Sequence, residues 1–417
     1  MLTRVAVISM HASPLERAGE RNAGGLNVYV RGLSMALARQ DVHMDIFTRR
    51  ADTVTPDVVE LVPGIRVTQI DAGPHEALPP DDLLPFVSLF TAGIVAHAGV
   101  QRRAYDLVHS HYWLSGLAAL RLRRRWHVPA VHMFHTLAEV KRRVAGMWSP
   151  ADQRRAHMEK DVLLGIDALV VANAVEATQV RRYYVPGYRR LHAIPCGVDL
   201  DLFSPRDREA ARRSLGLPAA EPIVFSAARI EPLKDLGTAV RAAGLLRERG
   251  VEDAHLVIAG GPVTGPAGVD EVERLRSLAR EYGLGERLHL VGAVAQEQLP
   301  RYMAASDVVV VPSLYESFGM VALEALACGR PVVASSVGGL QLTVHDGENG
   351  FLAPAGDAVA FADGLATVLR QPRLARRLAV AARRSAEPYG WRAIADRMLC
   401  LYDSLVLTQE RDAAANQ

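Results

Sequence analysis

Glu316 and Glu324, in ESFGMVALE, flank a Phe318-Gly319 step between the apolar run DVVVVPS (307–313) and the small-residue segment ALACGRPVV (325–333). Two carboxylates so placed suggest the acid and base of a hydrolase. On an ideal helix, however, their separation amounts to roughly 80° past whole turns, so two acids inside one helix would not share a line. With Glu316 in a loop and Glu324 inside a helix that begins near Gly319, they bracket the helix N-terminus from two sides. Free N–H groups at that end favour an anion, which carboxylates cannot themselves bind. Their natural partners are hydroxyls, so the pair reads as two hydrogen-bond acceptors beside an anion site.

Cations stand where such an anion would need them. In FSAARIEPLKDLGTAV (225–240), Arg229 and Lys234 lie across a strand-to-helix loop, able to neutralise charge that develops on a phosphate leaving group. A structural salt-bridge role for them would require acids fixed nearby. In HASPLERAGERNAGGLNVYVRGLSMALAR (11–39), Gly24 and Gly25 precede a helix starting near Leu26 and would let backbone N–H groups approach a diphosphate, the alternative being a plain tight loop. This is not the GxGxxG dinucleotide fingerprint.

Three further stretches carry polar chemistry at expected strand ends. DLVHSHYWLSG (106–116) places His109 and His111 on one strand face, the spacing of a metal pair. With no third ligand nearby, one histidine bonding a sugar hydroxyl or a backbone group and the other packing is the better reading, and no metal site is expected. VHMFHTLAEVKRR (131–143) carries His135 and Thr136, then Lys141, Arg142 and Arg143, suited to a phosphorylated or polyhydroxylated ligand or, for the arginines, to a solvated helix face. The Gly/Pro loop IAGGPVTGPAG (258–268) is too generic to specify chemistry, and Asp199 to Asp201 read as turn residues in a linker.

The elements that position these residues follow from periodicity. Short Val-, Ile- and Ala-rich runs (RVAVISM, MDIFTR, IRVTQI, DLVHSH, VPAVHMF, DALVVAN, LHAIP) alternate with helical segments, and a second series follows (PIVFSAA, HLVIAGG, RLHLVG, DVVVVPS, RPVVASS). Near-continuous apolar strands separated by helices are what a parallel sheet covered on both faces requires. The expected fold is therefore α/β with two doubly wound Rossmann-like domains. The boundary is expected in PCGVDLDLFSPRD (195–207), giving residues 1–196 and 197–387. A terminal amphipathic helix at about 388–407 is expected to cross back to the first domain, with a fraying end after it.

The 417 residues, 49% hydrophobic, can bury two large cores. Lys+Arg 48 against Asp+Glu 46 leaves a formal charge of +2, which does not argue for a nucleic-acid partner. Three scattered cysteines fit reduced thiols in a cytoplasmic protein, and the sequence is read as having no apolar run of membrane-spanning length.

Together, RIEPLKD and ESFGMVALEALACGRPVV after a strand ending VPS resemble retaining glycosyltransferases of the GT-B type, family 4, which includes sucrose and sucrose-phosphate synthases. The likeness covers nearly the whole chain and implies two Rossmann-like domains facing each other across a cleft. SMHASP, NAGGLNVYV, AGPHEAL, HSHYWLSG and HTLAEVK resemble the branch that transfers N-acetylglucosamine from its UDP form to inositol 3-phosphate, while HTLAEVKRR also resembles the sucrose-phosphate-synthase side.

The resemblance implies that Arg229 and Lys234 contact the donor diphosphate, Glu324 the ribose hydroxyls and Glu316 a hydroxyl of the transferred sugar. It further implies that Gly25 sets backbone against the diphosphate, that His111 faces the sugar, and that uracil is held by backbone at 292–295, around Val294. Asn27, Tyr112, Thr136 and Arg155 align with positions that hold inositol phosphate. Where that branch carries a lysine after its AGP-[YF]-EGL motif, this chain has Pro80, one cation fewer at an acceptor phosphate. The implied partners are a UDP-sugar and a small acceptor, with no cofactor or essential divalent metal, no nucleic acid and no integral membrane segment; a homodimer is left open. A sugar-nucleotide epimerase and a nicotinamide dehydrogenase are the rival classes, the latter without its glycine fingerprint.

Overall fold

The apolar runs build two sheets, seen in a computed structural model that describes residues 2–16, 24–101, 104–146, 149–261 and 266–415. Residues 17–23 of the polar loop before Gly24, and 262–265 of the Gly/Pro loop, lie outside the described residues.

The first sheet has eight strands: β1 (Arg4–Ile8), β2 (His43–Arg49), β3 (Val58–Val62), β4 (Ile65–Ile70), β5 (Leu107–His111), β6 (Ala130–Met133), β7 (Ala168–Val171) and β8 (Leu191–Ala193), in the order β3-β4-β2-β1-β5-β6-β7-β8. All pairs are parallel except β3 with β4. Strand β3 escaped the sequence reading because it is a half-exposed edge strand whose VVELV pattern buries no residue fully.

The second sheet is wholly parallel: β9 (Ile223–Ala227), β10 (His255–Ala259), β11 (Leu288–Gly292), β12 (Val308–Val311), β13 (Val332–Ser335) and β14 (Gly350–Ala353), ordered β11-β10-β9-β12-β13-β14. Strand β14 was also missed, being short and glycine-led. Every residue of β5, β9 and β12 is buried, as a strand covered on both faces must be. The strand order reverses between β1 and β5 in one sheet and between β9 and β12 in the other. Those reversals open crevices at the carboxyl ends of the strands, where α/β proteins bind ligands.

The chain divides into two units, one of Met1–Glu16, Gly25–Gly197 and Trp391–Gln417, the other of Arg17–Gly24 and Val198–Gly390. The terminal helix Trp391–Ala415 belongs to the first unit. It continues well past residue 407, correcting the expected fraying end, because its last turns are tied down: Gln409 donates its side-chain amide to the His127 carbonyl. Nearer its start, Arg397 donates to the Ala193 carbonyl at 2.6 Å and Gln40 to Asp396 at 2.8 Å.

The helical stretch Pro80–Val100 is 21 residues long and apolar enough to cross a membrane by length and composition alone, which corrects the expectation that no run reaches that length. Pro85, Ser88, Thr91 and His97 disguise it as broken on paper. Here Val87, Phe90, Thr91, Ile94 and Ala98 are buried, and the stretch packs on the helix Trp113–Trp126.

Trp391 acts as the wedge that seats the terminal helix. A Cβ at Gly32 would stand 2.3 Å from its ring, and one at Gly197 also 2.3 Å. Gly197→Ala should therefore overpack this contact and cost about 1–3 kcal/mol. A lower denaturation midpoint in urea than for the wild-type chain is the expected result.

Candidate active site

In the second unit, the loops leaving β9 and β12 meet over the switch point. Pro232–Lys234 forms a short 3-10 turn, and Asp235, at φ 41°, ends it and opens the helix Leu236–Leu245. The Leu314 N–H donates to the Leu233 carbonyl at 2.9 Å and so fixes the β12 loop against this turn. As a result Lys234 Nζ lies 2.7 Å from Glu316 Oε2, 82 residues away in sequence. Arg229 pairs with Glu231 at 3.1 Å, its side chain 48% exposed. The acids that a structural ion-pair role would need are thus present, though sequence reasoning named none for these cations.

Glu316 is held from behind. Gly339 donates its N–H to the Glu316 carbonyl at 3.1 Å, and a Cβ at Gly338, where φ is +47°, would stand 1.9 Å from that same oxygen. Gly319, at φ +94°, precedes the helix Met320–Ala327, and a Cβ there would come within 2.6 Å of Leu340. Only glycine meets both demands, so the chain turns sharply and leaves the first N–H groups of the helix pointing outward.

Glu324 sits inside that helix, 5% exposed, and accepts a hydrogen bond from Gln296 Nε2 at 3.2 Å. Burial pushes its carboxyl up to about 7, with the Gln296 bond opposing the rise. Gln296 follows Val294 in the β11 loop, so this bond brings that loop to the Glu324 helix. Sequence reasoning missed Gln296, since nothing local marks it. Both acids therefore flank the helix start as the spacing predicts, Glu316 in the loop and Glu324 within the helix.

In the first unit a second cluster forms at the carboxyl ends of β5 and β6. Just beyond each strand stands a residue with a positive φ, Tyr112 at 72° after β5 and His135 at 63° after β6. Two non-glycine residues held at positive φ beside adjacent strand ends are a local cost that the surroundings must offset. Arg155 donates to the Thr136 carbonyl at 2.7 Å and to its hydroxyl at 2.9 Å, pairs with the buried Glu159 at 2.7 Å, and lies 4.8 Å over the Tyr112 ring. Burial works to lower this guanidinium, but the Glu159 carboxylate, together with Tyr112 and Tyr184 beside it, holds the group above its ordinary value. Glu159 also accepts from Tyr184 and the Ala138 N–H, so it organises Arg155 rather than offering itself to a ligand.

The histidines here are neutral. His111 Nδ1 lies 3.1 Å from His135 Nε2, and His109 Nδ1 lies 2.6 Å from the Tyr402 hydroxyl of the terminal helix. Burial lowers all of them: His109 and His135 to about 3, and His111 well below its ordinary value, with the neighbouring imidazoles adding to the effect on His111 and His135. His11, which sequence reasoning did not single out, joins them with its ring 4.2 Å from Tyr112, and burial takes it to about 3. Asn27 is buried and donates to the Ser13 carbonyl at 2.7 Å. Gly25 opens the helix Gly25–Ala38, and a Cβ at Gly24 would meet nothing within 4 Å. Among the described residues, no three His, Cys, Asp or Glu side chains converge to hold a metal ion.

Two family models divide the chain, Glycosyltransferase Family 4 over residues 23–202 and Glycosyl transferases group 1 over 207–385. A D-inositol 3-phosphate glycosyltransferase of Xylanimonas cellulosilytica is 42% identical over 407 residues, covering 96% of each chain. The chain belongs to the family 4 glycosyltransferases. A second relative of the same name, from Mycolicibacterium smegmatis, is 41% identical to this glycosyltransferase over 402 residues, 96% of this chain and 90% of the relative. Among solved structures, sucrose-phosphate synthase from Thermosynechococcus elongatus superposes with a TM-score of 0.89 at 37% identity, covering 97% of this chain and 100% of the other. Anabaena HepE, solved with UDP and glucose, shares the fold with a TM-score of 0.73 at 21% identity over 97% of this chain and 100% of its own.

Because Gly338 presses on the Glu316 carbonyl, Gly338→Ala should displace Glu316 and break its approach to Lys234. Sugar transfer should fall by roughly tenfold or more, the loss expected of one misplaced polar contact of 1.4 kcal/mol or above. Retained helix content by circular dichroism should accompany the loss.

Proposed function

We propose that this glycosyltransferase moves glucose or N-acetylglucosamine from a UDP-sugar, with retention, onto a small phosphorylated polyol, inositol phosphate being the favoured type. The observation that carries the reading is the Lys234–Glu316 pair beside the Gly319 helix start, 2.7 Å apart. In the free protein this pair is partly exposed, which makes it weak and exchangeable. A donor would take Lys234 as a diphosphate partner and leave Glu316 to accept from a sugar hydroxyl.

In this reading Arg229, Lys234 and the helix N–H groups stabilise the leaving diphosphate, with the Gly24–Gly25 backbone in support. Glu324 receives the ribose hydroxyls, and the loop around Val294 holds the base through its backbone. The bond from the sugar C1 to phosphate oxygen breaks as the acceptor oxygen bonds to C1 on the same face, and the acceptor proton passes to the departing phosphate oxygen. The two cations supply positive charge at the leaving group, so the proposal includes no essential divalent ion. His111 and His135, neutral through burial, would offer hydrogen bonds to the sugar without adding charge.

On the acceptor side, Arg155 would contribute charge and Thr136, Tyr112 and Asn27 polar contacts. Pro80 supplies no cation, and the loop before it is tied back by Arg49, which donates to the Pro74 and Glu76 carbonyls at 2.5 Å each. That departure, with the likeness to sucrose-phosphate synthase, gives a second reading in which the acceptor is a hexose phosphate.

The test is transfer from UDP-glucose and UDP-N-acetylglucosamine to inositol phosphate and to hexose phosphates, read by UDP release and product mass. Lys234→Ala should lose most transfer while folding normally; full rates with every acceptor would overturn the reading. EDTA should leave the wild-type rate unchanged. If Glu324 holds ribose, its ionised form is the better acceptor, and it ionises as pH rises through about 7. Uridine, which has no titrating phosphate, should then bind about tenfold more tightly at pH 8 than at pH 6, and Glu324→Gln should abolish that dependence.

A further inference from the structure

At the amino edge of the second sheet, opposite the strand ends that carry Lys234 and Glu316, five arginines gather around the start of β9, β12 and β13. Asp307 accepts hydrogen bonds from Arg208 and, at 2.8 Å, from Arg212, and it also receives the Ile223 N–H at 2.8 Å. Arg212 is 1% exposed, and its remaining donors go to carbonyls: Ala305 at 2.9 Å, Pro218 at 3.2 Å, and Ala219 and Glu221 at 2.9 Å each. Arg383 likewise caps carbonyls, with 2.8 Å to Ala327 and 2.9 Å to Phe203. Arg206 donates to the Leu202 carbonyl at 2.9 Å. A carbonyl satisfies a guanidinium's hydrogens and leaves its charge in place.

Arg330 differs from these four. It follows the tight Gly329 turn, where a Cβ would lie 3.5 Å from Pro205, the neighbour of Arg206, and 3.5 Å from the Ala379 carbonyl, one turn before Arg383. Its side chain is largely covered, and its Nε is buried with no hydrogen-bond partner. Burial, together with the charges of Arg208 and Arg212, lowers this guanidinium from its ordinary value, against the opposing pull of Asp307. A covered guanidinium donor left unpaired is costly, and one surrounded by like charge doubly so. Asp307 is already engaged by Arg208, Arg212 and a backbone N–H. The nearby acids Asp207 and Glu209 are committed elsewhere, Asp207 to the Ala210 N–H and Glu209 to Arg213.

We propose that this cluster is a second anion site, in which Arg330, Arg206 and Arg208 hold a phosphate-type oxyanion. The planar fork of arginine matches two oxygens of such a group, and the Arg330 guanidinium, whose Nε has no acceptor in the protein, is the member of the cluster left uncommitted. Arg206 and Arg208 are exposed, so the site opens to solvent and admits either inorganic phosphate or the phosphate of a small monoester. The C-terminal carbonyls of the helix Met320–Ala327 point toward this region and would repel an anion if bare. They are satisfied instead: Ala325 by the Arg330 N–H, Leu326 by the Gly329 N–H and Ala327 by Arg383. The site is separate from the proposed donor diphosphate site, at the other end of that helix, and it does not depend on the function proposed above.

The test is calorimetric titration of the full chain with inorganic phosphate and, in a parallel arm, with glycerol 3-phosphate. A saturable phosphate-binding step that survives Lys234→Ala, and is therefore not the proposed donor site, but weakens about tenfold or more in Arg330→Gln is expected, the loss of one charge-assisted pair. Arg206→Gln, a change at an exposed side chain, should weaken it as well and keeps the test usable if Arg330→Gln folds poorly. Comparable binding of the ester would assign the site to phosphomonoesters, and weaker binding of the ester to free phosphate. Unchanged phosphate binding in a folded Arg330→Gln chain, no binding in the wild type, or loss in Lys234→Ala alone would overturn the proposal.

Discussion

A parallel strand covered on both faces can carry chemistry only where it ends, and that constraint organises this glycosyltransferase. Strands such as Val308–Val311 have no exposed position. Polar side chains are displaced to the strand termini and the loops beyond them, and neighbouring termini lie side by side. Lys234 and Glu316 come together for that reason, each at the first loop after a central strand. The same holds for His111 and His135 in the first unit, 3.1 Å apart at the ends of neighbouring strands.

Strand β5 breaks the pattern in an instructive way. LVHSH is buried throughout, yet three of its five residues are polar. Each has a partner inside: Tyr402 for His109 Nδ1, His132 at 2.8 Å for Ser110, and His135 for His111, while His109 Nε2 is buried without a partner. Burial keeps the imidazoles uncharged, so they act as directional donors and acceptors rather than as cations. The Tyr402 contact also couples the strand to the C-terminal helix, whose Trp391 packs on Gly32 and Gly197. The helix is thus an integral layer of the first unit.

Charge is handled differently in the two units. Glu159 fixes Arg155 in a buried network, with hydrogen bonds to Thr136 on the same guanidinium, so that cation is rigid and preorganised. Lys234 and Arg229 are paired loosely at partly exposed positions and can change partners at little cost. In the proposed reaction this suits a fixed acceptor anchor and a donor that arrives and departs as UDP. Pro80 brings no cation to that proposed anchor, so Arg155 would supply its charge.

The sequence by itself determined the parallel α/β architecture, both strand series apart from β3 and β14, and the placement of Glu316 in a loop and Glu324 within the helix of ESFGMVALE. These are properties of local pattern: unbroken apolar runs, glycine at a forced turn, and the angular spacing of two acids around a helix start. It overlooked the partners of those residues. Gln296 beside Glu324, Tyr402 on His109 and His11 against Tyr112 are contacts between strand ends or helices remote in sequence, with nothing local to mark them, whereas Glu159 stands one turn after Arg155 on the same helix and needed only the four-residue spacing to be found. The length of the terminal helix and the packing of one face of the apolar Pro80–Val100 stretch were settled the same way, by what lies against them. Only tertiary structure decides such pairings, because they arise when a sheet brings distant chain segments to one edge.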